Sequence, residues 1–371
     1  MIYLDHQATT PLDPDAFAAM RPFFEAGFGN PHSATHAVGA AASAAVEHAR
    51  GQVAALIGAD AREVVFTSGA TEANNLAVIG AARFQRRQMA AAGRDRVVVS
   101  AIEHKCVLES ADATAAEGGV VARAPVGRDG IVDLDALAAL LDDKTAIVSV
   151  MAVNNEMGAV QPLAEIGALC RAAGALFHTD AAQAAGKTPL DVDAAQIDLL
   201  SLSAHKMNGP MGVGALYIRR RPRARSEPLM RGGGQERGYR SGTLPLPLVV
   251  GFGAAAEKAR AALADGEPDR LRALAGRFFD RLAAALPDVV LNGPTGARRS
   301  PANLNFQIPG VDALDLARSL NDVAVSTASK SSSGSARWVS RSCSNPLCRR
   351  SICGSFSRAR KCSIGALRSK A

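Results

Sequence analysis

Ile197-Asp198-Leu199-Leu200-Ser201-Leu202-Ser203-Ala204-His205-Lys206-Met207-Asn208-Gly209-Pro210 decides the fold class of this chain. Residues 197–202 form a short apolar run of the length that suits a buried strand. The run ends in two hydrogen-bonding side chains, Ser203 and His205, then a lysine, then a Gly-Pro turn. A lysine at a buried strand end, among groups able to hold an anion, suits imine chemistry on an aldehyde that carries a phosphate. Alone, Lys206 also reads as a surface residue opening a loop, so its surroundings decide.

Working outward, strand-like and helix-like segments alternate. Residues 63–67, 96–100, 145–152, 176–179 and 214–218 read as further strands, and residues 13–26, 36–58, 71–90 and 163–173 as helices. Pro162 suits the first turn of the last of these. Short apolar strands separated by helices predict an α/β fold with a largely parallel sheet covered on both faces. The pattern changes after Gly232-Gly233-Gly234. Helices over 247–263 and 270–286, and short strands near 289–291 and 303–307, predict a smaller α+β domain. The expected organisation is a large cofactor domain over 13–249 and a small domain built from 1–12 and 250–371.

Composition narrows the function. The chain has 371 residues, 48% hydrophobic and 21% charged, which predicts a soluble protein with room for two domains. No apolar stretch reaches the ~18 residues that span a bilayer, so no membrane partner is expected. Met1-Ile2-Tyr3-Leu4-Asp5-His6 lacks the features of a signal peptide, and a cytoplasmic location is expected. The net charge of +7 suggests nucleic acid until its distribution is followed. Residues 328–371 hold ten Lys/Arg and no acidic residue; without those ten, 32 basic residues face 35 acidic ones, and residues 1–327 carry −3. The basicity belongs to the tail, and a nucleic-acid partner is not expected.

The predicted strand ends carry the chemistry. Thr67-Ser68-Gly69-Ala70-Thr71-Glu72 joins a strand to a long helix, so the first-turn amides of Ala70 and Thr71 and the Thr71 hydroxyl form a phosphate site. His104 follows the strand 96–100, where an imidazole can stack on an aromatic ring and move protons. Asn154 and Asn155 follow the strand 145–152 and can bond a ring substituent. Asp180 and Gln183 follow 176–179, and a carboxylate there can pair with a protonated pyridine nitrogen. Singly, each also reads as a cap, a turn or a loop residue. Together they gather at successive strand ends, where open α/β sheets bind ligands.

The set resembles a known family. Tyr3-Leu4-Asp5-His6-Gln7-Ala8-Thr9-Thr10-Pro11, Gly29-Asn30-Pro31-His32-Ser33, Thr67-Ser68-Gly69-Ala70-Thr71-Glu72, Glu103-His104, Asn154-Asn155-Glu156, His178-Thr179-Asp180-Ala181-Ala182-Gln183, Ser203-Ala204-His205-Lys206 and Arg240-Ser241-Gly242-Thr243 are similar to the cysteine desulfurases of the nitrogen-fixation and iron–sulfur-assembly type. These belong to the class V aminotransferases, with the type I fold of pyridoxal 5'-phosphate (PLP) enzymes. The likeness runs over about residues 1–336. It implies that Lys206 joins the cofactor aldehyde, Asp180 pairs with the pyridine nitrogen, and His104 stacks on the ring and moves protons. It implies that Gln183 and Asn155 bond near the ring oxygen, and that Ala70, Thr71, Ser203 and His205 hold the phosphate. Thr243 would reach the phosphate of a second copy in a homodimer. The implied substrate is L-cysteine, and the implied partner is an iron–sulfur scaffold or another sulfur acceptor, nitrogenase supply included. The alternatives are a selenocysteine lyase or another PLP lyase or aminotransferase of the same fold, or a catalytically impaired form.

The likeness breaks in the tail. The family's loop cysteine falls on Ser331 within Ser326-Thr327-Ala328-Ser329-Lys330-Ser331-Ser332-Ser333-Gly334-Ser335-Ala336. A hydroxyl ionises far less readily than a thiol and cannot carry a persulfide. The family's carboxylate-gripping arginine falls on Cys353 in Ser351-Ile352-Cys353-Gly354-Ser355-Phe356-Ser357-Arg358. Cys343, Cys348, Cys353 and Cys362 lack a zinc spacing, and Cys106 and Cys170 read as packing residues. The abrupt change near residue 328 predicts a reading-frame error in the encoding sequence. Peptide mass mapping of the natural protein is expected to find no peptide of 328–371 as printed; their recovery would make the tail genuine.

Overall fold

The computed structural model describes residues 1–33, 35–88 and 93–327. Ser331 and the four tail cysteines lie outside the described residues. Numbered along the chain, β1 (Ile2–Tyr3) is followed by seven strands of one sheet: β2 (Val64–Thr67), β3 (Arg96–Ser100), β4 (Val120–Ala124), β5 (Thr145–Ser149), β6 (Leu176–Asp180), β7 (Leu199–Ser203) and β8 (Gly214–Ile218). Their spatial order is β2-β8-β7-β6-β5-β3-β4.

The sheet is mainly parallel, as the sequence predicts, with one reversal. β8 runs antiparallel to both β7 and β2. The connection 204–213 contains only a single 3-10 turn, and a parallel return needs a crossover long enough to span the sheet. Because β2 is antiparallel to β8, it points the same way as β7. The C-terminal ends of β2, β3, β5, β6 and β7 therefore share one edge.

Side chains alternate across the sheet and fill two cores. Val64, Phe66, Val98, Val148, Leu200 and Leu202 meet one buried cluster, which takes in residues of α2 (Ala37–Leu56), α6 (Leu163–Ala173) and α7 (Leu246–Ala264). Val65, Val97, Val99, Ile147, Leu199 and Leu216 meet the other, under α3 (Ala70–Gln88) and α4 (Lys105–Ala116). Burial on both faces makes these strands nearly continuous apolar runs. Each such Val or Leu contributes about 1.5–3 kcal/mol when fully buried. α7 also packs along α1 (Pro14–Glu25), and it approaches α2 closely because Gly253 has no side chain. A Cβ there would lie 2.6 Å from the Cα of Ala49.

Beyond α7 one long helix is followed by short elements. α8 (Glu267–Ala285) leads to β9 (Val290–Leu291), which pairs antiparallel with β10 (Phe306–Gln307). α9 (Ala313–Ser319) leads to β11 (Val323–Ala324), which pairs in parallel with β1. Short α5 (Leu134–Leu140) lies between β4 and β5. Among the described residues, no helix is long and apolar enough to cross a membrane.

The edge strand β2 is closed by side chains rather than by another strand. The Phe66 amide donates to Glu236 Oε2 at 2.7 Å, and the Val64 carbonyl accepts from Arg50 and Arg237 at 2.9 and 2.5 Å. Arg50 and Glu236 are buried and joined by two bonds of 2.7 and 2.8 Å, with the guanidinium over the Phe66 ring. Glu236 and Arg237 have φ of 47° and 57°, a left-handed conformation that costs a non-glycine residue energy. The pair thus holds a strained loop against an open edge. Breaking a buried pair from one side leaves an uncompensated charge, so Glu236→Ala is expected to lose about 3–5 kcal/mol in urea denaturation. A loss near the ~1 kcal/mol typical of exposed pairs would refute that role.

Candidate active site

A cleft of about 360 Å³ opens at the shared C-terminal edge, within the size range of small-molecule sites. The turn after β2 forms one end. Ser68 and Gly69 lead into α3, and Ala70 and Thr71 line the cleft with first-turn amides that have no partner within the helix. Glu72 in the same turn accepts from the Ser68 amide at 2.7 Å and pairs with Arg240 at 2.8 Å, so its charge is balanced beside this anion site. Gly214 backs the turn. A Cβ there would meet the Leu202 carbonyl at 2.4 Å and the Gly69 Cα at 2.7 Å, so the close approach admits only glycine.

Ser203 and His205 complete this end from β7 and the 3-10 turn after it. His205 Nδ1 lies 3.0 Å from Thr9 Oγ1, which leaves Nε2 for the cleft. Burial, reinforced by the charges of Lys206 and Lys187, lowers the His205 pKa. Lys206 projects from the same turn and donates to the carbonyls of Gln7 and, at 2.8 Å, Ala8. Burial lowers its ammonium pKa, while Asp180 and Asp5 pull it back up. A larger neutral fraction favours addition to an aldehyde.

A buried carboxylate also faces the cleft. Asp180, at the end of β6, accepts from the Ala182 amide at 2.9 Å and from Asn74 at 2.7 Å. Gln183 donates to the Gln7 carbonyl at 3.0 Å and accepts from Lys187 at 3.4 Å. Burial, then Lys206, pushes the Lys187 ammonium down to about 8. His104 caps α4 and lies exposed at the cleft, its Nδ1 accepting from the Cys106 amide at 3.2 Å. Asn155 lines the cleft, whereas Asn154 turns away to brace the loop through the Ile102 carbonyl and the amides of Glu156 and Met157.

Ala70, Thr71, His104, Asn155, Asp180, Gln183, Ser203, His205 and Lys206 are therefore brought to one cleft. Thr243 is not among its lining and is exposed. Sequence reasoning passed over Asn74, the Gln7 and Ala8 carbonyls, and Lys187. Asn74 was detectable as the residue one helical turn after Ala70, on the same face. Carbonyl positions leave no sequence signal. Cys106 was read as packing. Its sulfur lines the cleft, and burial pushes its thiol up to about 11, which suits that reading better than a nucleophile.

Residues 2–359 match the class V aminotransferase family, and the chain belongs to it. A cysteine desulfurase of Mus musculus is 51% identical over 334 residues, covering 90% of this chain and 71% of the relative. A solved structure titled NifS-like protein superposes with a TM-score of 0.82 at 34% identity, covering 88% of this chain and 87% of that one. A second, titled SspA in complex with cysteine, gives 0.65 at 40% identity over 69% of this chain and 72% of that one. PLP is the cofactor of the family, and this cleft fits it. It is lined by the first-turn amides of a helix, a hydrogen-bonded carboxylate and a lysine amine.

Glu103 lies behind the cleft and is held by Ser100 Oγ and the Met151 amide, both at 2.6 Å. Burial pushes it up to about 8 from an ordinary 4.5. The folded protein thus binds this proton more tightly than the unfolded chain. The stability it adds is complete below 4.5 and is lost as the pH rises towards about 8. His178, pushed down to about 3 from 6.5 by burial, acts with the opposite sign below 6.5. Between pH 6.5 and 8, melting temperature is expected to fall more steeply for the natural protein than for Glu103→Gln. Parallel curves would show that Glu103 is ionised throughout.

Proposed function

We propose that the chain is a PLP-dependent cysteine desulfurase: L-cysteine and an acceptor thiol become L-alanine and a persulfide. The observation that supports this most is the Lys206 amine, gathered into one cleft with a helix N-terminus and a buried carboxylate. Bound there, PLP supplies an electron sink for the pair released at the amino acid's Cα.

The residues divide the remaining work. The amides of Ala70 and Thr71, with Ser203 and His205, would hold the phosphate. Asp180 would pair with the pyridine nitrogen, His104 would stack on the ring, and Asn155 and Gln183 would bond near the ring oxygen. Lys206 Nζ, its pKa lowered by burial, takes the substrate's Cα proton and returns one to the product, with His104 assisting. Thr243 serves the phosphate of a second copy. Its exposure, its neighbour Arg240 anchored on Glu72, and the outward apolar side chains Phe24 (64% exposed), Phe28 (71%) and Met211 (63%) support a homodimer. The sulfur passes to an iron–sulfur scaffold or another acceptor in the cytoplasm, with nitrogenase supply as the narrower case.

The acceptor thiol on the enzyme is the weak point, because the loop position reads Ser331. That residue favours one alternative, a lyase acting on selenocysteine, where no enzyme thiol is required. Borohydride reduction with PLP is expected to fix the cofactor on Lys206, seen by peptide mass. Ser331→Cys protein is expected to release alanine from L-cysteine at least about tenfold faster than the printed chain. If PLP is fixed on Lys206 but neither form releases alanine, the desulfurase reading fails; faster turnover of selenocysteine than cysteine by both would favour the lyase.

A further inference from the structure

Asn74 lies in α3, buried behind the cleft. One hydrogen of its Nδ2 goes to Asp180 Oδ2 at 2.7 Å and the other to Cys106 Sγ at 3.1 Å. Its Oδ1 has no hydrogen-bond partner among the described residues. The orientation of the amide is not arbitrary, since the flipped form would set a carbonyl oxygen against a carboxylate oxygen with no proton between them. The side chain gives up a bond at Oδ1 to place both N–H groups where the carboxylate and the sulfur need them.

The surroundings explain why. Asp180 is buried, and its other oxygen is taken by the Ala182 amide at 2.9 Å. A buried carboxylate keeps its charge only where donors replace water. Asn74 is the one side-chain donor on it among the described hydrogen bonds. Cys106 then joins Asn74 to the other face of the site, because its sulfur also lies 2.9 Å from His104 Nδ1. The thiol accepts from Asn74 and offers its own hydrogen to His104.

We propose that Asn74 is the positioning residue of Asp180: it aims the carboxylate into the cleft, while Cys106 holds Asn74 in the donating orientation. The proposal rests on the PLP reading above. It explains a buried amide with an unmet acceptor, and it gives Cys106 work that a thiol resistant to ionisation can do.

The test uses full-length protein freed of cofactor. PLP affinity is measured by equilibrium dialysis, and ring protonation by the nitrogen signal of bound PLP labelled with 15N at the pyridine position. Asn74→Asp sets a second carboxylate against Asp180, and Asn74→Ala removes the donor. Both are expected to bind PLP about ten- to hundredfold more weakly, with a less protonated ring nitrogen, as for a lost bond to a charged group. Cys106→Ser keeps the bridge and is expected to stay within about threefold of the natural protein. Cys106→Val breaks the bridge, and its ring-nitrogen signal is expected to move in the same direction as that of Asn74→Ala. Asn74 variants that bind PLP as tightly as the natural chain, with the same nitrogen signal, would overturn the proposal. If circular dichroism shows that the Asn74 variants do not fold, Cys106→Val decides: an unmoved nitrogen signal overturns it, a shifted one supports it. A natural chain that takes up no PLP overturns the cofactor reading and this proposal with it, whereas tight binding by every variant removes the proposal alone.

Discussion

A parallel strand cannot follow its neighbour without a crossover, and that constraint places most groups of the cleft. Each crossover in this sheet leaves from a C-terminal strand end, so residues far apart in the chain arrive at one edge. Thr67, Ser100, Asp180 and Ser203 close their strands at that edge. The single reversal, at β8, serves the same site: it returns the chain directly from Lys206 and sets Gly214 against Gly69 behind the phosphate turn. A parallel β8 would have required a helix where the cleft now opens.

Within the cleft, charge is sorted by how each group is solvated. Glu72 is neutralised by Arg240, and Glu103 carries its proton because burial outweighs its two hydrogen bonds. Asp180 is surrounded by donors instead. The basic side is tuned the other way, since burial lowers the pKa values of Lys206, Lys187 and His205 together. The cleft thus presents helix-terminal amides, a hydrogen-bonded carboxylate and an amine that is easily made neutral. Such preorganised polarity is worth more where water is excluded than the same groups in water.

Much of this was legible in the sequence, and the exceptions have physical causes. β3 at 96–100, β8 at 214–218 and α6 at 163–173 fall where periodicity put them, because two-sided burial writes a clear apolar pattern. β4 and α4 were missed. β4 is an edge strand with Val120 exposed and Arg123 in its run, so its pattern is diluted. α4 begins directly after His104, a cap that reads as a loop residue. In the site, residues at strand ends were found because strand ends are where ligands gather. The Gln7 carbonyl was not, because a main-chain oxygen leaves no motif, and Asn74 was passed over although it follows Ala70 by one turn on the same helix face. The antiparallel course of β8 depended on the length of a connection rather than on the strand itself.

The pairing of β1 with β11 has a further meaning. Residues 2–8 are tied at one end to Val323 and Ala324, with Ser326 bonded to Asp5 at 2.7 Å. At the other end the carbonyls of Gln7 and Ala8 hold the Lys206 amine, and the Gln7 side chain takes a bond from Asn303 at 2.9 Å. The segment works as a tendon strung between Lys206 and Ser326. Releasing residues 2–8 from either anchor would slacken both ends at once.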